Sequence, residues 1–242
     1  LENKAGYINT GAWSAKALKE AKNFGNAIVI ASSKNANFNY IPKNYSIDED
    51  LDYLHITTNN TIFGTQYHEI PETKNNLICD MSSDIFSRNI DFSKFALIYA
   101  GAQKNMGPAG TTLVIVKEDI LGKVSRNIPS MLDYKIHIDK ESMFNTPPVF
   151  AVYTSMLTLE WLKENGGIKS IETKNIEKAN LLYNAIDSNE LFTGFAEKED
   201  RSLMNVTFNL TNQEHKQHFD KLCKDANISG VNGHRSVGGY RA

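Results

Sequence analysis

Apolar positions along this chain follow two periods, and the change falls near Pro147. Upstream, short apolar runs dominate: "AIVIAS", "YLHITT", "NLICDMS", "FALIYAG" and "TTLVIV", bounded by Asn, Asp, Ser or Gly. Runs this short and this uniformly apolar are what strands buried on both faces show. They predict an α/β fold with a largely parallel sheet and little helix in its connections. One helix is predicted ahead of them in "WSAKALKEAKNFG", where Trp13, Ala17, Leu18 and Ala21 share a face and Gly25 offers a stop. The stretch 35–44, "NANFNYIPKN", reads as loop or irregular edge because turn formers outnumber core candidates.

Downstream of Pro147 the spacing becomes helical. Val149, Val152, Met156, Leu159 and Leu162 recur on one face until Gly166 and Gly167. Thr146 is the expected N-cap, with Pro147 in the first turn. A second helix is expected to carry Ile168, Ile171, Ile176, Ala179, Leu182 and Ile186. "NVTFNL" then alternates Val206, Phe208 and Leu210 like a half-buried strand, and 215–226 returns to helix with Phe219, Leu222 and Cys223 inward. The expected organisation is a large domain within residues 1–150, followed by a connecting helix and a small α+β domain within 151–242. No internal repeat is visible.

Composition narrows the classes. With 242 residues, 41% apolar and 22% charged, the chain can bury one large core or two unequal ones. A net charge of -2, with Lys and Arg scattered among Asp and Glu, provides no basic stripe, which argues against nucleic-acid and membrane partners. No apolar stretch nears the roughly 18 residues that span a bilayer. Cys79 lies in an apolar run and Cys223 in a helical pattern, without disulfide or zinc-ligand spacing, so a reducing, cytoplasmic setting and no metal site are expected. The missing initiator Met and the abrupt "GGYRA" end suggest a piece of a longer protein.

The chemistry centres on "YAGAQKNMGPAGTTLVIV", which sets Lys104 in a loop of small residues between two apolar runs. An amine is nucleophilic only when deprotonated, and a partly desolvated loop at a strand end lowers its pKa. Asp80 ends the run "NLICD", with "FALIYA" between it and Lys104. An acid and an amine at the ends of neighbouring strands could hold opposite ends of one ring. Pyridoxal phosphate needs that arrangement: the amine forms a Schiff base and the carboxylate keeps the pyridine nitrogen protonated. A solvated lysine and a turn-forming acid remain the plain alternatives.

"ICDMSSDIFSR" followed by "YAGAQKNMGPAGTTLVIV" resembles the phosphoserine aminotransferases, class V enzymes of fold type I. "GAWSAKALKEAK", "NNTIFGTQ", "FNTPPVFAVY" and "GHRSVGGYRA" extend the likeness in the family's order. The resemblance implies pyridoxal phosphate as cofactor, with Lys104 as its attachment point and proton shuttle and Asp80 against the ring nitrogen. It also implies Trp13 on the ring face, Thr61 on the ring's 3′ oxygen and Gln103 on the cofactor phosphate. Asn145 and Thr146 would reach that phosphate from the partner subunit of a homodimer with shared sites. His234 and Arg235 would bind the substrate phosphate, and Arg241 the α-carboxylate.

The implied reaction converts 3-phosphohydroxypyruvate and L-glutamate to phosphoserine and 2-oxoglutarate in serine synthesis, with a related step of pyridoxine synthesis as a second use. Segments of the family's chain before and after these motifs are absent from the sequence. Another class V aminotransferase or desulfurase, or a catalytically silent fragment, remains open at this point.

Overall fold

The computed structural model describes residues 4–235 and 237–242. In chain order the elements are β1 (Lys4–Asn9), α1 (Ala12–Ala21), β2 (Asn26–Ser32), β3 (Leu51–Thr57), the short pair β4 (Asn59–Asn60) and β5 (Thr65–Gln66), β6 (Leu77–Asp80), β7 (Leu97–Gly101) and β8 (Thr112–Val116). There follow α2 (Tyr134–Asp139), α3 (Val149–Glu164), α4 (Gly167–Asp187), β9 (Phe192–Gly194), β10 (Thr207–Leu210), α5 (Lys216–Asp225) and β11 (Tyr240–Arg241).

A six-stranded sheet runs in the order β2-β1-β3-β6-β7-β8. Its pairs are parallel except β7 with β8, which is antiparallel. The five predicted apolar runs are all strands of this sheet. One more strand, β1, was not predicted, because Lys4 and Gly6 interrupt its apolar character. Pairing supplies what periodicity lacks: β1 lies between β2 and β3, and a Cβ on Gly6 would come within 2.6 Å of Leu51 and 2.9 Å of Ile30. On one face Ile8, Leu54, Ile56, Leu77, Cys79 and Ile98 form the main core. On the other, α1 covers Ala5 and Tyr7 through Leu18.

A second core belongs to the downstream half. Ala179, Tyr183 and Ile186 of α4 pack on Val206, Phe208, Leu210 and Tyr240 of the antiparallel sheet β11-β10-β9. Val206, Phe208 and Leu210 of "NVTFNL" are buried as expected, but Thr207 is buried too, so the strand is not half-buried there. Leu222, expected inward, is exposed, and so is Ile176 of α4. The buried row of α4 is instead Asn175, Ala179, Tyr183 and Ile186, which follows the i, i+4 spacing more closely than the isoleucines do.

The start of α3 is also corrected. Its N-cap is Pro148 rather than Thr146, and the helix begins at Val149. The residue before a proline is disfavoured in the α region, so Pro147, standing before Pro148, cannot open the helix as a first-turn proline.

The two cores meet along a polar seam. Asn59 Nδ2 donates to Asn205 Oδ1 at 2.9 Å, Leu203 N donates to Gln66 Oε1 at 3.0 Å, and Thr207 Oγ1 donates to the Phe63 carbonyl at 2.9 Å. Gly64 makes this approach possible: it has φ +71°, and a Cβ there would lie 2.3 Å from Thr207 Oγ1. The seam brings β11, with Arg241, to the carboxyl ends of the large sheet.

Candidate active site

In the sheet Asp80 pairs with Tyr99, so β6 and β7 run in register and their carboxyl ends emerge side by side. Crevices outside such ends are where open α/β sheets bind ligands. Asp80 is the last residue of β6, and the turn after β7 carries Lys104. The Asp80 carboxylate is aimed by its own turn: Ser82 N donates to Oδ1 at 2.9 Å, while Gly101 N donates to Ser82 Oγ at 3.1 Å. One serine thus ties the acid to the strand that leads to the lysine.

The Lys104 ammonium lies 5.2 Å from the centre of the Trp13 ring. The Lys104 side chain reaches solvent, yet the protein around its amine partly desolvates it. That desolvation lowers its pKa below the ordinary lysine value; Asp80 pulls it back up, and Arg241 pushes it down. The amine therefore has both charge signs within electrostatic reach and is easier to deprotonate than a free lysine.

Trp13 does not join the core as the helical face had suggested. It is 38% exposed, and its Nε1 donates to Thr61 Oγ1 at 3.3 Å. Thr61 is buried, and its carbonyl accepts from Arg241 Nη1 at 2.9 Å. Trp13, Thr61, Asp80, Lys104 and Arg241, drawn from five separate stretches of chain, are thus linked into one cluster by these contacts and by the charges that act on Lys104. An amine and a carboxylate beside a flat indole suit a flat basic heterocycle that carries a carbonyl group.

Beneath Asp80 lies an aromatic layer absent from the sequence reading. His55 Nε2 and Tyr99 Oη are 2.9 Å apart, the Tyr7 ring stacks on His55 at 4.8 Å, and the hydroxyls of Tyr7 and Tyr53 are 2.8 Å apart. Burial pushes the His55 pKa down to about 4, so the ring is neutral near pH 7.

The remaining expected residues lie differently. Gln103 is exposed and folds back over Gly101, where a Cβ would meet its Oε1 at 2.5 Å. Asn145 and Thr146 are exposed; Asn145 Nδ2 donates to the Thr146 carbonyl at 3.2 Å, and no hydrogen bond among the described residues joins either to Lys104 or Asp80. His234 and Arg235 sit in the turn before β11, where Val237 N and Gly238 N both donate to the His234 carbonyl at 2.9 Å. Arg235 is exposed.

The chain matches the protein-family model described as Aminotransferase class-V over residues 2–240, and it belongs to that family. It is 66% identical over 239 residues to the phosphoserine aminotransferase of Flavobacterium psychrophilum, a match covering 99% of this chain and 67% of that protein. Against the phosphoserine aminotransferase of Azobacteroides pseudotrichonymphae it is 59% identical over 245 residues, covering 100% and 68%. The phosphoserine aminotransferase structure from Bacillus circulans subsp. alkalophilus superposes with a TM-score of 0.94 at 43% identity, covering 99% of this chain and 68% of that one. A pyridoxal-phosphate-bound phosphoserine aminotransferase from Trichomonas vaginalis gives 0.90 at 35% identity, covering 99% and 70%. The chain thus spans about two thirds of the length of its curated relatives.

Proposed function

We propose that the protein is a pyridoxal-phosphate-dependent transaminase that moves an amino group from L-glutamate to 3-phosphohydroxypyruvate, giving phosphoserine and 2-oxoglutarate for serine synthesis. The carrying observation is that the Lys104 amine stands over Trp13 and within electrostatic reach of Asp80 and Arg241. The relatives named phosphoserine aminotransferase support the choice of substrates. Use of the related phosphorylated keto acid of pyridoxine synthesis is part of the same proposal.

The residues fit the cofactor. Lys104 would hold its carbonyl carbon, Asp80 its ring nitrogen, Trp13 its face and Thr61 its ring oxygen. When bound, the cofactor acts as an electron sink for the bond broken at the substrate's α-carbon. The protein's own groups then have separate tasks. The lowered Lys104 pKa leaves a larger fraction of the amine free to take the α-proton. Asp80, fixed by Ser82 N, holds a negative charge at a set position. Arg241, hydrogen-bonded to the Thr61 carbonyl, offers its remaining donors to an α-carboxylate common to both amino acids. Exposed Arg235 and neighbouring His234 are proposed for the substrate phosphate.

Gln103 and, from a second copy, Asn145 and Thr146 are proposed for the cofactor phosphate. The homodimer this requires is supported by α3, whose described side chains leave only Ala151 buried while Val149 and Phe150 are 69% and 74% exposed. Residues 1–150 would belong to the large cofactor domain and 151–242 to the connecting helix and small domain, in a cytoplasmic enzyme; among the described residues no helix is long and apolar enough to cross a membrane. A desulfurase reading is disfavoured because Cys79 and Cys223 are both buried, and burial pushes the Cys79 thiol well above its usual range.

The test is an assay of the whole protein with glutamate and 3-phosphohydroxypyruvate, pyruvate or oxaloacetate. A clear preference for the phosphorylated acceptor is expected. Equal or better use of pyruvate would assign the protein to another branch of the family.

A further inference from the structure

The turn from Met81 to Arg88 joins the strand end that carries Asp80 to the loop that carries Lys104, and its shape depends on a carboxylate the proposed chemistry does not use. Asp84 is fully buried. Thr58 Oγ1 donates to its Oδ1, while Gln66 Nε2 and Arg88 Nη2 approach Oδ2 at 3.2 and 3.4 Å. A buried carboxylate is tolerated when its lone pairs are taken up in this way. Burial raises the Asp84 pKa, and Arg88, Thr58 and Gln66 oppose the rise.

The partners of Asp84 lead directly to both reactive groups. Thr58 N donates to the Asp80 carbonyl at 3.1 Å, so the residue that grips Asp84 also fixes the backbone of Asp80. Within the turn, Ser82 N holds the Asp80 carboxylate and Ser82 Oγ holds Gly101 N. The Ile85 carbonyl accepts from Asn105 Nδ2, next to Lys104. Phe86 is held at φ +59°, a left-handed conformation that a bulky residue keeps only where its surroundings enforce it. The enforcement is visible on both sides of it: Asp84 is paired with Arg88, and the Ser87 carbonyl accepts from Asn175 Nδ2 of α4 at 3.1 Å.

We propose that Asp84, acting through Thr58, is a positioning residue that holds the 81–88 turn and thereby sets the placement of Lys104 relative to Asp80. This rests on the reading of those two residues given above. Asp84 itself touches neither substrate nor cofactor. Loosening the turn should let the Lys104 loop open to solvent, which removes the crowding that lowers the pKa of its amine.

Four variants of the whole protein test this: Asp84→Asn, Thr58→Val, Thr58→Ser, and Ile186→Ala as a destabilised control in the distant core. Two quantities are read without turnover. One is the pH dependence of Lys104 acylation by a trace amine reagent in cofactor-free protein, followed by mass spectrometry. The other is the dissociation constant for pyridoxal phosphate from tryptophan quenching. Thr58→Val and Asp84→Asn should move the Lys104 pKa up toward the ordinary value and weaken cofactor binding by about tenfold or more.

Thr58→Ser should behave as wild type, and Ile186→Ala should change neither quantity. If Asp84→Asn does not fold, Thr58→Val against Thr58→Ser carries the decision. Wild-type values of both quantities in Thr58→Val would overturn the proposal, as would equal shifts in Ile186→Ala. A wild-type protein that binds no pyridoxal phosphate, with the Lys104 pKa still shifted by Thr58→Val, would support the positioning role and overturn the cofactor reading instead.

Discussion

The carboxyl ends of β6 and β7 and the stretch from 131 to 165 satisfy their groups in opposite ways. At the strand ends, Asp80, Thr61, Trp13 and Arg241 each have a partner within the chain, and the turn behind them is pinned by buried Asp84. Along 131–165, Met131, Met143, Phe150 and Trp161 are large, apolar and exposed, and Asn145 and Thr146 face solvent. Groups of the proposed site are paired inside the chain, whereas large apolar side chains along 131–165 are left uncovered. Large apolar side chains exposed in such number are what the proposed dimer would cover. The difference indicates which half of the site one chain builds and which half, on the proposed dimeric reading, comes from a second copy.

The sharpest break in that comparison is Lys104→Ala. It should abolish multiple turnover, since Lys104 is the amine grouped with Asp80 and Trp13, whereas Asn145→Ala should only weaken cofactor retention. Comparable turnover of the two variants would erase the distinction. Asp80→Asn should slow proton abstraction by about two to four orders of magnitude at saturating cofactor, read as a single-turnover rate.

Stability should also depend on pH on the buried side. His55 has its pKa pushed down to about 4, against an unfolded value of about 6.5. Between these values the unfolded chain binds the extra proton. Stability from His55 is therefore complete above about 6.5 and lost as pH falls through about 4, a change of about 3 kcal/mol. Urea unfolding at pH 7 and pH 4.5 should show a smaller acid loss in His55→Gln; parallel losses would contradict the assignment.

The two arginines give the smallest effects. Arg241→Ala should impair both half-reactions, because its side chain is anchored to Thr61 inside the site. Arg235→Ala should raise the KM of the phosphorylated acceptor roughly ten to a hundredfold and spare glutamate. Equal damage to both substrates by Arg235→Ala would place it on a shared carboxylate.

Much of this was legible in the sequence where a local signal carries it. The apolar runs fixed five strands, and Asp80 and Lys104 follow from their positions at strand ends. What stayed hidden depended on distant pairing. β1 is a strand because two neighbours flank it, despite Lys4 and Gly6. Helical periodicity alone groups Trp13 with the apolar face of α1, because it cannot see Thr61 and Lys104; only the family resemblance set Trp13 apart. Within "DMSSD" nothing local marks Asp84 as buried, and Arg88 four residues on is the one faint sign of a pair. Thr146 failed as a cap for a reason present in the sequence, the second proline that follows it.

The most direct test of the divided site is complementation between two impaired forms. A Lys104→Ala chain and a chain carrying Asn145→Ala with Thr146→Ala are mixed by co-refolding, and activity is compared with each alone. Random pairing makes about half the dimers mixed, and each mixed dimer has one intact site, so activity should recover to roughly a quarter of wild type. Activity no greater than the sum of the two separate variants, with exchanged dimers confirmed by sizing of differently tagged chains, would contradict a site built from two copies.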